Sequence, residues 1–312
     1  MKAAVLHEHG EPPRAAEFDD PQEADGHVVA EVSAAGVNHL DLLKASGNFY
    51  TGPPELPSVV GSDGVGRLPD GRRVFFDAPK APHGAMAERT LVREDELLEV
   101  ADGVDDDVAA ALGNSGLAAW TALEWRAKLQ PSETVLVLGA TGAMGNVAVQ
   151  AAKLLGAGRV VAAARAGDRL DRMRERGADA LVDLDAEGDL AAALKDATGD
   201  GADVIVDPLW GDPAIAAMGA AKLGARHLQI GHMASPTAEV PALTVRSATL
   251  DLLGFVVFRV PLEVRRDAYT RLTEHAARGD LDVDLERVTL DDVEDAWRRQ
   301  QSGPDAKLVV VP

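Results

Sequence analysis

Two patterns of apolar and polar positions follow one another along the chain, and the change falls near residue 116. Before it, the apolar stretches are short and separated by glycine and proline, which predicts a β-rich segment. They occupy positions 28–32, 59–60, 73–76 and 90–92. After it, apolar runs alternate with helical spacing, which predicts a parallel, doubly wound sheet. The runs predicted as its strands occupy positions 135–138, 160–164, 180–184, 204–206 and 228–230.

The last part of the chain returns to a mixed pattern. Helical spacing predicts two helices, over 264–278 and 291–301, and an apolar run at 308–311 predicts a final strand. Another apolar run, 250–258, has two interpretations. It is either an edge strand that pairs with a second copy of the chain or a buried internal strand.

The most informative segment is a glycine turn between the apolar run 135–138 and a helical pattern. Glycines at such spacing allow a tight turn, a close backbone approach to a pyrophosphate and close packing of helix on strand. The free amides at the helix start then face the phosphates. Three glycines alone are a weak signal, but the flanking strand and helix favour a nucleotide site. Its predicted residues are Gly139, Ala140, Thr141, Gly142, Ala143, Met144 and Gly145.

The composition narrows the class of protein. A chain of 312 residues, 46% of them hydrophobic, predicts two domains with separate cores. The formal net charge of −20 argues against nucleic acid as a partner. No apolar run is long enough to span a membrane, and the first residues do not resemble a secretion signal. Since there is no cysteine, we expect a cytoplasmic protein without disulfides or thiolate nucleophiles.

The residue after the second strand of the predicted sheet indicates which nucleotide binds. NAD-binding folds carry an acidic residue there to hold the ribose 2′-hydroxyl, whereas this chain has Arg165. A guanidinium group matches a 2′-phosphate, which favours NADPH; the alternative is a solvated surface charge. We expect Asp168 to cap the next helix. Asp207 and Pro208 end another strand, where loops of parallel sheets form the ligand crevice.

Several ordered motifs together resemble the medium-chain dehydrogenase/reductase superfamily, and most of all its zinc-free quinone oxidoreductase branch. They are AGVNHLD at 35–41, SG at 46–47, LPSVVGSDGVG at 56–66, GLAAW at 116–120 and the glycine turn. The resemblance covers essentially the whole chain. It implies an α/β fold with a GroES-like, β-rich catalytic domain of residues 1–116 and 257–312. A Rossmann domain of residues 117–256, with a doubly wound parallel sheet, would bind NADP(H). It also implies a homodimer.

The resemblance bears on metal binding as well. Zinc alcohol dehydrogenases of the superfamily have cysteine, histidine and cysteine at positions that match Asn38, Ser62 and Asn114, none of which is a usual zinc ligand. We therefore expect no metal. The resemblance implies that NADPH reduces a quinone or the C=C bond of an α,β-unsaturated carbonyl. The alternatives are a pathway-specific tailoring reductase and a non-catalytic NADPH-binding protein.

The resemblance also suggests residues for catalysis and cofactor binding. Asn38 would donate a hydrogen bond to the substrate carbonyl, or else fix its own loop. The hydroxyl of Tyr50 would bind or protonate that carbonyl, or else only pack, and Phe49 competes for the aligned position. Residues expected near the cofactor by resemblance are His39, Gly231, His232, Leu253, Gly254, Phe255 and Lys307.

Overall fold

The computed structural model describes residues 1–49 and 52–312. The chain forms two compact units, Met1–Asn114 with Arg265–Pro312, and Ser115–Val264. The strands are β1 (Lys2–Leu6), β2 (Arg14–Glu17), β3 (His27–Gly36), β4 (Ser58–Val59), β5 (Asp63–Arg67), β6 (Arg73–Asp77), β7 (Arg89–Arg93), β8 (Leu98–Glu99), β9 (Thr134–Leu138), β10 (Arg159–Ala164), β11 (Ala180–Asp183), β12 (Ala202–Asp207), β13 (Ala221–Gln229), β14 (Asp251–Gly254), β15 (Leu285–Thr289) and β16 (Lys307–Val311).

Helices occur in both units. They are α1 (His39–Ala45), α2 (Asp106–Leu112), α3 (Asn114–Thr121), α4 (Ala143–Leu154), α5 (Asp168–Asp171), α6 (Leu190–Thr198), α7 (Gly211–Gly219), α8 (Ala242–Ala248), α9 (Leu262–Ala277) and α10 (Val293–Ser302). Within the described ranges, no helix combines the length and the apolar character that a membrane crossing requires.

The first unit is built on β-sheets, as its short apolar stretches predict. A three-stranded sheet has the order β2-β1-β4, and a seven-stranded sheet has the order β15-β16-β3-β5-β6-β8, with β7 also paired to β3. The C-terminal strand β16 returns to this sheet and pairs antiparallel with β3, with Val310 opposite Ala35. Residues from distant parts of the sequence, among them Leu6, Phe76 and Trp297, share one core.

The second unit contains a six-stranded sheet of order β11-β10-β9-β12-β13-β14, whose neighbouring strands are all parallel. Its central strands β9 and β12 are buried. The helices that connect parallel strands cover both faces of such a sheet, so apolar side chains point to both faces. The strand order reverses between β9 and β12, and such a switch point creates a crevice at the carboxyl ends of the strands.

These observations confirm the predicted fold class, and each predicted strand of the doubly wound sheet is present. The run 250–258 contributes β14, which is an edge strand and not an internal one. The predicted domain boundaries at 116/117 and 256/257 stay a prediction.

Candidate functional site

The predicted cofactor residues of the second unit lie together at the carboxyl edge of its parallel sheet. The glycine turn follows β9, Arg165 follows β10, and Asp207 is the last residue of β12. Gly231 and His232 follow β13, and Phe255 follows β14. Five neighbouring strands therefore deliver predicted residues to one edge, where open parallel sheets bind ligands.

The glycine turn has no room for larger residues at two of its three glycines. Gly139 has a φ of 60° and lies against the 208–209 segment, where an added Cβ would come within 3.3 Å of Pro208 Cγ. A Cβ on Gly145 would overlap Gly139 O and lie 2.8 Å from Ala140 Cα, so helix α4 can pack closely on the turn only with glycine there. Gly142 is exposed and is the N-cap of α4.

The start of α4 is suited to an anion. No side chain caps this helix, and the first amides of any α-helix have no partner within the helix. The backbone amides of residues 143–145 therefore provide donors at the positive end of the helix dipole. A close-packed glycine turn with uncapped amides fits the pyrophosphate of a dinucleotide.

Two arginines lie beside this turn. Arg165 is exposed directly after β10, as the sequence predicts. Arg169, which no sequence motif marks, donates from Nη2 to Thr141 O at 2.5 Å and so connects α5 to the glycine turn. The sequence feature that could have pointed to Arg169 is its position four residues after Arg165. Asp168 does not cap α5 as expected, because Gly167 is the N-cap and Asp168 is the first helical residue.

Asp207 lies at the edge of the sheet, but its side chain does not face solvent. The carboxylate is fully buried; Oδ1 accepts from the amides of Leu209 at 2.8 Å and Trp210 at 2.9 Å. Its Oδ2 lies 2.8 Å from Nε2 of His227, which is also fully buried. The carboxylate holds the loop and has no exposed oxygen, which does not favour a direct contact between this side chain and a cofactor; the cofactor role of Asp207 stays a prediction. Pro208 is half-buried in that loop.

The remaining predicted residues of this unit have different exposures. His232 is exposed, whereas Phe255 is buried and its amide donates to Gln229 O at 3.0 Å. Leu253 and Gly254 lie on β14 in register with Leu228 and Gln229. A Cβ on Gly231 would lie 2.7 Å from Pro208 O, so Gly231 lets the loops after β12 and β13 pack closely.

The first unit contains a buried polar cluster around Asn38. Its Nδ2 donates to Asp63 Oδ1 at 2.6 Å and to Gly36 O at 3.2 Å. Its Oδ1 accepts from Lys307 Nζ at 2.6 Å, and Lys307 also donates to Val37 O at 2.8 Å. The backbone N–H of Asn38 donates to Asp41 Oδ2 at 2.8 Å, which closes a capping box on α1.

Burial changes the ionisation of this cluster. It raises the pKa of Asp63 to about 7, against the opposing effect of the Lys307 charge. It also lowers the pKa of Lys307, against the opposing effects of Asp63 and Asp41. The amide of Asn114 donates to Asp63 Oδ2 at 2.8 Å. Both oxygens of this carboxyl group are therefore engaged, one by Asn38 and the other by Asn114.

These contacts bear on two predicted roles. Both amide hydrogens of Asn38 are engaged inside the unit, which favours the alternative that this side chain fixes its own loop. Lys307 is buried with its ammonium group in the cluster, so its position does not favour the predicted cofactor contact. His39 is exposed as the first residue of α1. Tyr50 lies outside the described residues.

The positions that match zinc ligands carry other contacts. Ser62 Oγ accepts from Lys44 Nζ at 3.0 Å, and Asn38 accepts from Lys307. Two ammonium groups thus approach side chains where a metal cation would have to bind. In the part of the chain that the structure describes, no three histidine or carboxylate side chains cluster as a metal site would require.

Comparisons with known proteins agree with this architecture. A family model described as "Zinc-binding dehydrogenase" matches residues 143–274, a range that does not include Asn38, Ser62 or Asn114. The chain is 28% identical to an NAD-dependent alcohol dehydrogenase of Sulfolobus acidocaldarius over 66% of this chain and 70% of that protein. It is 33% identical to a quinone oxidoreductase-like protein 2 homolog of Nematostella vectensis, over 59% of this chain and 52% of that protein.

A solved structure matches over the full length. The quinone oxidoreductase from Thermus thermophilus, also crystallised in complex with NADPH, has 30% sequence identity and a TM-score of 0.85, and the match covers 100% of each chain. The shared fold therefore includes both units.

Proposed function

Since the chain belongs to the medium-chain dehydrogenase/reductase superfamily, in its quinone oxidoreductase-like branch, we propose that this oxidoreductase reduces its substrate with NADPH and without zinc. The substrate is a quinone or the C=C bond of an α,β-unsaturated carbonyl. The observation that carries the proposal is the close-packed turn from Gly139 to Gly145, with the uncapped start of α4 beside it.

NADPH, when bound, supplies the hydride. The protein binds its pyrophosphate with the backbone amides at the start of α4, where Gly142 leaves space for close approach. Arg165, at the end of β10, pairs with the 2′-phosphate of the adenosine ribose. The loops after β12, β13 and β14 hold the nicotinamide half, through Pro208, Gly231, His232 and the 253–255 segment.

Preference for NADPH over NADH is part of the proposal, and it rests on Arg165. The test is the dissociation constant of each nucleotide, measured by quenching of tryptophan fluorescence. We expect NADPH to bind at least about tenfold more tightly, because a charged hydrogen bond contributes about 1.5–3 kcal/mol. Equal dissociation constants would refute the assignment.

Independence from zinc is supported by the donor set at the three matched positions. Amide and hydroxyl groups are poor zinc ligands. Two of the three side chains already accept hydrogen bonds, Ser62 from Lys44 and Asn38 from Lys307. Without a Lewis acid, oxidation of an unactivated alcohol loses its usual stabilisation of the alkoxide. Addition of hydride to an already polarised acceptor does not require it.

Among the groups around the substrate, Tyr50 keeps its predicted role as the hydrogen-bond donor to the carbonyl. We propose that Asn38 acts on the loop before α1 and not on the substrate. A Tyr50→Phe variant should lose turnover while its NADPH affinity stays unchanged. Asn38→Ala should instead lower stability, because Asp63 and Lys307 each lose a buried partner.

A homodimer is also proposed. Strand β14 is the edge of the parallel sheet, so one row of its backbone donors and acceptors has no strand partner among residues 1–49 and 52–312. Leu252, Val256 and Phe258 are exposed large apolar side chains on or near it. Pairing of two β14 strands about a two-fold axis would cover both the backbone edge and these side chains.

The acceptor is identified by oxidation of NADPH against 1,4-quinones, acyclic enones, cyclic enones and simple aldehydes. The proposal predicts turnover with a quinone or an enone and none with simple aldehydes. Turnover of one narrow acceptor alone would indicate a tailoring reductase. Tight NADPH binding without hydride transfer to any acceptor would indicate a non-catalytic binding protein and overturn the enzymatic proposal.

A further inference from the structure

Two fully buried ionisable side chains meet beneath the proposed nucleotide crevice. His227 Nε2 lies 2.8 Å from Asp207 Oδ2, and both residues have no exposed surface. Asp207 Oδ1 accepts two backbone amides, and with the ring proton on Nε2 His227 donates to the remaining oxygen, Oδ2. The other ring nitrogen, Nδ1, is buried and has no hydrogen-bond partner in the described structure. The histidine therefore has one polar contact, and that contact is Asp207.

The loop that Asp207 holds contains a strained residue. Trp210 has φ 58° and ψ −168°, a backbone conformation that is almost exclusive to glycine. Such a conformation persists only when its surroundings fix it. Here the Trp210 amide donates to Asp207, and the indole ring meets the His227 ring edge-on, with centroids 6.2 Å apart. Asp207 and His227, which contact each other, thus also hold Trp210 from two sides.

This strained loop lies against both neighbouring turns. An added Cβ on Gly139 would come within 3.2 Å of Leu209 Cδ2, so the loop closely adjoins the glycine turn. On the other side, Met233 donates to Pro208 O at 3.1 Å and Ala234 donates to Leu209 O at 2.8 Å. The position of residues 208–211 therefore determines the shape of the crevice between β9 and β13.

The strand order identifies the half of the nucleotide that this loop contacts. In doubly wound folds each half of the sheet binds one mononucleotide, and the residue after the second strand holds the adenosine ribose. Here that half is β9, β10 and β11, which includes Arg165. The loop after β12 belongs to the other half, which binds the nicotinamide ribose.

We propose that His227 is a positioning residue for the nicotinamide half of NADPH, acting through Asp207 on the 208–211 loop. The inference rests on the proposed function, since it assumes that NADPH binds at this edge of the sheet. Loss of the His227 donor leaves a buried carboxylate oxygen without its partner. The loop then leaves its strained conformation, and the nicotinamide half loses its support while the adenosine half keeps Arg165.

The test compares two ligands in the full-length protein. NADPH contacts both halves of the site, whereas 2′,5′-ADP contacts the adenosine half alone. His227→Phe keeps an aromatic ring beside Trp210 but removes the donor. We expect its NADPH dissociation constant to rise at least about tenfold and its 2′,5′-ADP dissociation constant to stay within about twofold of the wild type. His227→Gln can still place an N–H near Asp207, so it should recover most of the NADPH affinity.

Control measurements distinguish a failure of the role assigned to His227 from a failure of the proposed function. His83→Phe makes the same substitution in the first unit and should change neither dissociation constant. If His227→Phe does not fold, His227→Leu decides, because it also removes the hydrogen bond to Asp207 Oδ2 and leaves both loop amides on Oδ1. Weaker NADPH binding with unchanged 2′,5′-ADP binding supports the proposal, and unchanged binding of both overturns it. A wild-type protein that binds neither ligand would refute the proposed function itself.

Discussion

Lys307 Nζ donates to Asn38 Oδ1 at 2.6 Å, although the two residues lie near opposite ends of the chain. The contact orients the side-chain amide of Asn38, since its Oδ1 must face the ammonium group and its NH2 must face Asp63. The last strand of the protein thereby fixes the loop that precedes α1. The buried charge of Lys307 is compensated by hydrogen bonds inside the unit and by nearby carboxyl groups.

Removal of that ammonium group should destabilise the first unit. Lys307→Met keeps the length of the side chain but leaves Val37 O and Asn38 Oδ1 without a donor. We expect a loss of about 3 kcal/mol in the free energy of unfolding, measured by urea denaturation. Lys222→Met is the control, because Lys222 forms a half-exposed ion pair with Asp203 and should cost less than about 1 kcal/mol. Equal stability of the two variants would contradict the assigned role.

Asp63 should make stability depend on pH. Burial raises its pKa from 3.8 to about 7, so the folded state holds this proton more tightly than the unfolded chain. As pH rises from about 4 to about 7, the unfolded chain releases the proton first, and the contribution of Asp63 to the free energy of unfolding falls. Above its folded pKa the contribution is lost and no longer changes.

Asp63→Asn should remove this dependence. Its free energy of unfolding, followed by urea denaturation across that pH range, should fall less steeply with pH than that of the wild type. The relevant quantity is the difference between the two slopes, since the other carboxyl groups titrate in both proteins. Parallel curves would mean that Asp63 titrates as an ordinary exposed carboxyl group.

Gly142 and Gly145 of the glycine turn should respond differently to alanine. Gly145→Ala places a Cβ against Gly139 O and Ala140, so we expect about 2 kcal/mol of destabilisation and loss of NADPH binding. Gly142 is exposed, has a φ of −74°, and a Cβ there would meet only Gly139 O, at 3.3 Å, so Gly142→Ala should fold with a much smaller loss of stability than Gly145→Ala. Its methyl group should still weaken NADPH binding by blocking close approach of the pyrophosphate. Thermal unfolding with and without NADPH separates these effects; a fully stable Gly145→Ala protein would count against the described packing.

Reversal of the charge at position 165 should remove the preference for NADPH. Arg165→Glu places a carboxylate near the proposed 2′-phosphate and should raise the NADPH dissociation constant at least about tenfold, with NADH binding unchanged or improved. Arg174→Glu changes the net charge equally on an exposed part of the same segment and is the matched control. A similar loss in both variants would indicate a general charge effect and not a specific contact.

Disruption of the β14 edge should produce monomers. Leu252→Pro removes a backbone donor from this edge strand, and a proline there does not fit a continuous ladder across two chains. Light scattering should give twice the chain mass for the wild type and the chain mass for the variant. A wild-type monomer at micromolar concentration would rule out the dimer.

Much of the second unit could be predicted because its signals are local. Apolar runs of strand length, glycines at the turn and the position of Arg165 each lie within a few residues of the feature they specify. The cluster of Asn38, Asp63 and Lys307 could not be predicted in this way, because its contacts join positions 269 residues apart. Only the register of β16 on β3 brings them together.

His227 shows the same limit within one sheet. It lies directly before an apolar run and looks like an ordinary strand residue in the sequence. Its role depends on the pairing of β12 with β13, where Ile205 is opposite His227 and Asp207 is opposite Gln229. The contact between Asn38 and Asp41, by contrast, joins residues three positions apart, with the backbone N–H of Asn38 donating to Asp41 Oδ2.

Turnover of the metal-depleted protein tests whether reduction by NADPH proceeds without zinc. NADPH oxidation with the best quinone or enone acceptor is measured after dialysis against a chelator, with zinc content checked by elemental analysis. We expect an unchanged rate at negligible zinc. Activity that disappears on chelation and returns with added zinc would contradict it.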